Sequence, residues 1–539
     1  LEGPPEQRAA VQQQYSSALQ RAVPAFLEEM RRLASSGLTP DQVADGAAAR
    51  WLAVVREAAH RHVGRRMLIP GRAKSWWDAE IASAVRQRRK TFLRWRATGR
   101  SNAALQAQYL RQRSVCKRLV DAKQQQQQES QHRSLGQLYY TNTRAFWRRA
   151  NRLIGARRAA TAARRVPAVV DPVSNSLVTE DAQVARAFMR HAATLACPAE
   201  RDLPPLAWRQ QVGQRLDEYA AASAATPEES DRLGRPFSPE EVVAALRTLA
   251  NGKAPHEDGI PNELLKYGGQ GMVNLTTALF NVQLRSETCA AAWRVGSITL
   301  LPKGGPATDP GNYRPITLLD CVGKLFCRCI NNRVKNVVGL HEGQAGFRDK
   351  RSIIDNIFVL AELVRGRTAP PHKMRTFVFY LDVRKAFDSV WHDGLWCKLW
   401  ERGVRGKLWR TIRNIYSKMR SRVRVNGHTS DTFPVLRGTA QGCTFSPLLF
   451  NIFVDGLLQA VEGAGLGVQL GDGSRVGALM FADDFAGLES SAERLQQLID
   501  VAAAYLQQWG LEANVAKSAV VVYGPARGGA APVSLSHVW

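Results

Sequence analysis

Apolar residues recur along this chain in two rhythms. Up to about residue 155 they are sparse and spaced for helices, set among long Ala, Gln and Arg stretches such as Arg111–Lys123, which runs into Gln124–Gln128. From Ser238 to Tyr523, short runs of strand formers alternate with helical spacing, which predicts a mixed α/β unit. Ser238 is followed by Pro239 and then by Glu241, a capping box with proline at the first helical position, so a helix starts there. Turns are predicted at Gly304–Pro306, Asn426–Gly427 and Gly471–Gly473. A basic connector spans residues 156–170, and a second break falls near Ala224–Pro236. Two apolar runs, Thr376–Leu381 and Val476–Phe481, end near aspartates: Asp382 after the first, and Asp483 with Asp484 after the second. Each aspartate site is therefore expected at the tip of a strand or hairpin.

Charge changes the picture of the amino-terminal part. The 539 residues carry a net charge of +27 with 45% hydrophobic residues, enough for several packed units. Residues 1–170 hold 32 basic and 11 acidic side chains, so most of the excess lies there. Such a surplus points to a polyphosphate partner, nucleic acid being the simplest. The runs Arg86–Arg96 and Arg144–Arg149 interleave basic and aromatic residues. They suit either phosphate pairing with base stacking, or amphipathic helices whose aromatics are core. The eight cysteines show no metal-like or paired spacing and read as reduced thiols of an intracellular protein; the cluster Cys321, Cys327 and Cys329 has helical core spacing. No run of 18 apolar residues occurs, so no transmembrane helix and no membrane partner is expected. The chain begins at Leu1 and is expected to be a piece of something longer.

Aspartates at two strand tips suit divalent cations. In nucleotidyl transfer the attacking hydroxyl and the leaving pyrophosphate both develop negative charge, and two cations roughly 3.5–4 Å apart clamp both oxygens. Mg²⁺ takes few carboxylates, with water and substrate phosphates completing its shell, so three aspartates suffice.

With these sites, the phrases Asn251–Pro261, Leu301-Pro-Lys303, Asn312–Leu319, Gln344-Ala-Gly-Phe-Arg348, Arg437–Asn451 and Asn514–Lys517 fall in an order that resembles the reverse transcriptases of non-long-terminal-repeat (LINE-type) retrotransposons. The resemblance is strong over residues 238–523 and implies an α+β right-hand polymerase of fingers and palm with a truncated thumb, preceded by a mainly helical basic extension. It implies RNA-directed DNA synthesis with two Mg²⁺ ions, for which Mn²⁺ would substitute. Asp382 and Asp483 become bridging metal ligands, with Asp484 supporting and the carbonyl of Val383 a further ligand. Phe387 stands where the family places a gate against the 2′-hydroxyl. Lys303 and Arg314 would contact the triphosphate, and Gln441 and Gly442 the nucleotide. Lys517 is the candidate proton donor to pyrophosphate, while Phe347 and Arg348 would touch the template. The implied partners are the element's RNA template, a DNA primer or target and deoxynucleoside triphosphates. The implied location is the nucleus and cytoplasmic ribonucleoprotein.

The chain departs from the family pattern at His256-Glu257 and at Ala345, neither of them a catalytic group. The expected organisation is a nucleic-acid-binding extension over 1–170, a connector over 171–237, fingers and palm over 238–523 and the start of a thumb over 524–539. No endonuclease is visible in residues 1–237. Two alternatives remain open: a group II intron or retron-type enzyme, and an inactive polymerase-derived RNA-binding scaffold.

Overall fold

The structure is a computed structural model that describes residues 5–64, 78–141, 146, 165–227, 230–253, 255–440 and 442–524. Its contacts group into two compact units, one built from the chain up to Val63 and from Val166 onward, the other from Gly64–Arg165. The first 63 residues thus group with the polymerase-like half, a grouping that boundaries drawn at 170 and 237 did not anticipate.

In the larger unit, helices α1 (Pro5–Ala34) and α2 (Pro40–His62) bury one face each. Thr39 caps α2 through a capping box with Gln42, and Trp51 on that helix is 1% exposed. Both helices are stitched to distant segments. Gln283 donates from Nε2 to the Ala44 carbonyl at 2.9 Å, and Tyr15 donates to the Leu264 carbonyl at 3.4 Å. Arg56 donates to the Asp258 carbonyl at 2.6 Å, which anchors the loop bearing the unusual His256-Glu257 pair. Glu257 in turn pairs with Arg422. The helix expected at Ser238 is present as α7 (Pro239–Arg247), after α5 (Asp181–Ala196) and α6 (Leu206–Ala224), and its capping box is formed.

Two sheets frame the site. Strands β1 (Val295–Pro302) and β2 (Tyr313–Leu318) pair antiparallel, and β1 runs parallel to β4 (Arg420–Val425). The second sheet is wholly antiparallel in the order β5-β6-β3-β7, from Ala478–Phe481, Asp484–Glu489, Thr376–Leu381 and Ala519–Tyr523. Alternation gives this sheet two buried faces. Phe377, Phe379 and Leu381 enter the main core, whereas Val378 packs with Leu363, Leu479 and Leu488. Its ends are thus rigidly placed.

The smaller unit contains the helices α3 (Ala79–Ala97) and α4 (Ala103–Thr141). Asp78 caps α3, accepting from the Ile81 N–H at 3.0 Å. Phe92, Trp95 and Tyr109 pack on one another, with Trp95 and Tyr109 stacked at 5.7 Å. The aromatics of the Arg86–Arg96 run therefore contribute to helix packing, while Phe92 and Trp95 stay partly exposed. The Arg144–Arg149 run lies outside the described residues except for Phe146.

Candidate active site

Asp382 follows β3 directly, and Ala482-Asp483 forms the two-residue turn between β5 and β6, whose register pairs Phe481 with Asp484. Because Phe485 pairs with Leu381, the strand ends carrying Asp484 and Asp382 lie side by side. The sheet thus brings Asp382 to the same edge as Asp483 and Asp484, which lie 101 and 102 residues further along the sequence. Burial pushes the Asp483 carboxyl above the ordinary carboxylate range, and the neighbouring charges of Asp484 and Asp382 push it further. No ion pair among the described residues engages any of the three.

These residues fit a divalent cation. A half-buried carboxylate crowded by two others is an anionic oxygen site that lacks a protein countercharge, and hard cations take such donors. Among the described residues no group of three or more His, Cys, Asp or Glu side chains is already gathered as a metal site, so the three aspartates share a sheet edge without forming a closed cluster. Mg²⁺ takes few carboxylates and keeps water and substrate oxygens in its shell. Val383, adjacent to Asp382, is buried and bridges to Ala513.

The turn before β7 holds the first aspartate. Asn514 donates from Nδ2 to Oδ2 of Asp382 at 2.8 Å, and its backbone N–H donates to the Asp382 carbonyl at 2.7 Å. The Asp382 N–H donates to the Ser518 hydroxyl at 3.3 Å. Arg384 pairs with Glu512 at 2.5 Å on the same seam. Lys517 sits in this turn, exposed, with its N–H bonded to the Asn514 carbonyl at 2.9 Å. Asn514 was quoted in sequence only as part of a motif; its side chain is a contact that no local spacing reveals.

Phe387 lies in the turn after Asp382, stacked on Phe450 of the helix Ser446–Val454 with centroids 4.4 Å apart and planes at 18°. Phe347, 53% exposed, meets Phe387 edge-on at 6.1 Å, so the expected gate and the expected template contact adjoin. Lys303 reaches toward the same turn. Its charge, with those of Lys385 and Arg437, opposes the upward push of burial on the Asp388 carboxyl. Lys303 is exposed and donates to the Gly311 carbonyl at 3.2 Å, while Arg314, also exposed, stands opposite Leu301 on β2.

Gly442 adopts φ +128°, and a Cβ there would come within 2.3 Å of the Thr317 carbonyl. Its freedom thus serves a close approach to β2. Gln441 lies outside the described residues. Arg348 is turned inward: its guanidinium donates to the His341 and Gln344 carbonyls, each at 3.0 Å, and to Glu342 at 3.2 Å. The structure thus gives Arg348 a loop-binding contact beside the template role expected of it.

Residues 301–532 match the reverse transcriptase (RNA-dependent DNA polymerase) family. The chain is 28% identical over 320 residues to the "Probable RNA-directed DNA polymerase from transposon BS" of Drosophila melanogaster, covering 57% of this chain and 34% of that protein. It is 28% identical over 355 residues to the "Probable RNA-directed DNA polymerase from transposon X-element" of the same species, covering 63% and 37%. A third relative is the "Retrovirus-related Pol polyprotein from type-1 retrotransposable element R2" of Popillia japonica, 28% identical over 287 residues, covering 53% and 39%. The chain thus spans little more than a third of the length of these relatives. Residues 301–532 thus match a reverse transcriptase domain, and the relatives that the chain resembles are retrotransposon proteins, two of them named as RNA-directed DNA polymerases.

Proposed function

We propose that this protein is the RNA-directed DNA polymerase of a non-LTR retrotransposon, extending a DNA primer with deoxynucleotides on the element's RNA. The observation that carries the reading is the convergence of Asp382, Asp483 and Asp484 at one sheet edge with an elevated Asp483 carboxyl. A pair of Mg²⁺ ions, replaceable by Mn²⁺, would be held by Asp382, Asp483 and the Val383 carbonyl and would stabilise charge on the attacking and leaving oxygens. Asp484 supports that set from the adjacent strand. Asn514 keeps the Asp382 carboxylate aimed. Lys303 and Arg314 face the triphosphate as fixed positive charge, and Phe387, braced by Phe450, crowds the sugar 2′ position. Lys517 delivers a proton to the departing pyrophosphate. Phe347 and Arg348 order the template, Arg348 by holding its own loop.

The basic α3–α4 unit adds sequence-independent affinity for nucleic acid. In the intact element the same polymerase would act by target-primed reverse transcription, within a ribonucleoprotein that reaches the nucleus. No described helix is long and apolar enough to cross a membrane.

Primer extension on an RNA template with Mg²⁺ and deoxynucleotides tests the reading, with Asp483→Asn as control. Extension that disappears in the variant supports it. RNA binding without extension by either protein overturns it in favour of an inactive scaffold.

A further inference from the structure

We infer that Gln344 is a positioning residue that brackets the turn carrying Asp483, and so sets the geometry of the carboxylate site proposed above, on which the inference rests. Gln344 is completely buried. Its Oε1 accepts from the Ala482 N–H and from the Gly346 N–H, each at 2.9 Å. Its Nε2 donates to the Ala482 carbonyl at 3.2 Å. One carboxamide therefore engages both polar groups of the residue immediately before Asp483. The amide orientation is fixed by chemistry, because the reverse would set its NH₂ against two N–H donors.

The turn needs such a bracket. Two-residue hairpin loops that fit strand twist require positive φ at the first central position, where glycine is favoured. Here that position is Ala482, at φ +60°. An alanine held left-handed is strained, and such strain persists where the surroundings over-determine it. The surroundings do so here. The Ala345 N–H donates to the Met480 carbonyl at 2.9 Å, and the Met480 N–H donates to the Gly343 carbonyl at 2.8 Å. Asn451 of the helix Ser446–Val454 donates to the Gly346 carbonyl at 2.6 Å. A Cβ on Gly346 would lie 2.2 Å from the Ala482 nitrogen, so the segment fits against the turn only with glycine there. The buried Ala345 suits the same close approach. Gln344-Ala-Gly346 thus acts as a splint on the edge of the sheet, 138 residues away in sequence from the turn it holds.

The test compares wild type, Gln344→Ala, Ala482→Gly, the double variant and Gly346→Ala. Three readouts are used: melting temperature, Mn²⁺ binding by electron paramagnetic resonance with Asp483→Asn as baseline, and primer extension resolved into kcat and KM. Gln344→Ala is expected to lower kcat and the Asp483-dependent Mn²⁺ affinity by about 10- to 100-fold, leaving the deoxynucleotide KM nearly unchanged. Ala482→Gly, which removes the strain, is expected to be near wild type alone and to restore most of the loss in the double variant. A general packing defect would not be rescued by a glycine that only relieves the backbone of the turn. If Gln344→Ala fails to fold, Gly346→Ala, which keeps the amide and displaces the Ala482 peptide, should show the same kcat and Mn²⁺ losses.

Wild-type kcat and Mn²⁺ affinity in a folded Gln344→Ala protein would overturn the inference. So would a loss that Ala482→Gly leaves untouched, or wild-type values in Gly346→Ala. Absence of extension by the wild-type protein would count against the polymerase reading alone, because Mn²⁺ affinity reports the turn without any template.

Discussion

Asp483 is held in an environment that disfavours its charge, and that cost is separable from its use. Its carboxyl is raised by burial first and by Asp484 and Asp382 second. A carboxyl raised on folding contributes stability below the unfolded carboxylate range and loses it as pH rises through the folded value. Without metal, Asp483→Asn is therefore expected to melt at a higher temperature than wild type at pH 7, and the difference should vanish at acid pH. The same substitution should lower extension on the order of 10²–10³-fold or more. Calorimetry and extension assays on one preparation check both; a variant that melts lower would contradict the stated cause. Phe387 offers a second residue-scale test. Phe387→Val is expected to raise ribonucleotide use relative to deoxynucleotide use, and to cost about 0.5–1.5 kcal/mol from the lost Phe450 stacking. At this scale the aspartates were legible because each follows a strand-forming run. Gln344 and Asn514 were visible only as letters of motifs, since their partners lie 138 and 132 residues away.

Elements were legible wherever the signal was local. The capping box at Ser238 marked α7, and the Phe481-Ala-Asp-Asp484 stretch marked a hairpin. The membership of α1 and α2 in the polymerase-like unit was not legible, because it rests on contacts such as Gln283 with Ala44 across 239 residues. Those helices are structural parts of that unit, so Trp51→Ala is expected to cost about 3–5 kcal/mol in a denaturant titration. A buried lysine makes a contrasting case. Lys398 on the helix His392–Glu401 lies 3.6 Å from the centroid of Trp509, hydrogen-bonded to Tyr505 and the Phe453 carbonyl. Burial pushes its amine well below the ordinary lysine range. A lysine depressed on folding contributes its full stability only above the unfolded value and loses it as pH falls. Lys398→Met should therefore stabilise the protein at pH 7 by about 1–4 kcal/mol, with the gain shrinking toward pH 10. The carbonyl it leaves remains bonded to Tyr505 at 2.8 Å.

Across the whole molecule, charge and chemistry occupy different parts of the chain. Residues 78–141 carry 13 basic and 4 acidic side chains, and two of those acids, Asp78 and Glu80, are engaged by Lys123. Arg86, Arg89, Lys90 and Arg94 are exposed on α3, and no ion pair among the described residues engages them. Phe92 and Trp95 on the same helix pack with Tyr109, so the cations are more exposed than these aromatics. Composition points to a polyphosphate partner, and the exposure of these cations points to phosphate contacts as the mode. Binding through such a surface should depend steeply on salt and little on sequence, since each phosphate contact contributes about 0.9 to the log–log slope on a duplex and about 0.7 on a single strand. Replacing all four cations by glutamine, which preserves helix propensity, is expected to lower that slope by up to about 3 to 4. The kcat of extension at saturating primer-template should stay unchanged, because none of the four belongs to the carboxylate site. An unchanged slope in a folded variant would assign the nucleic-acid affinity to other cations, and a fall in kcat with the slope intact would mean that this helix acts on the chemistry itself.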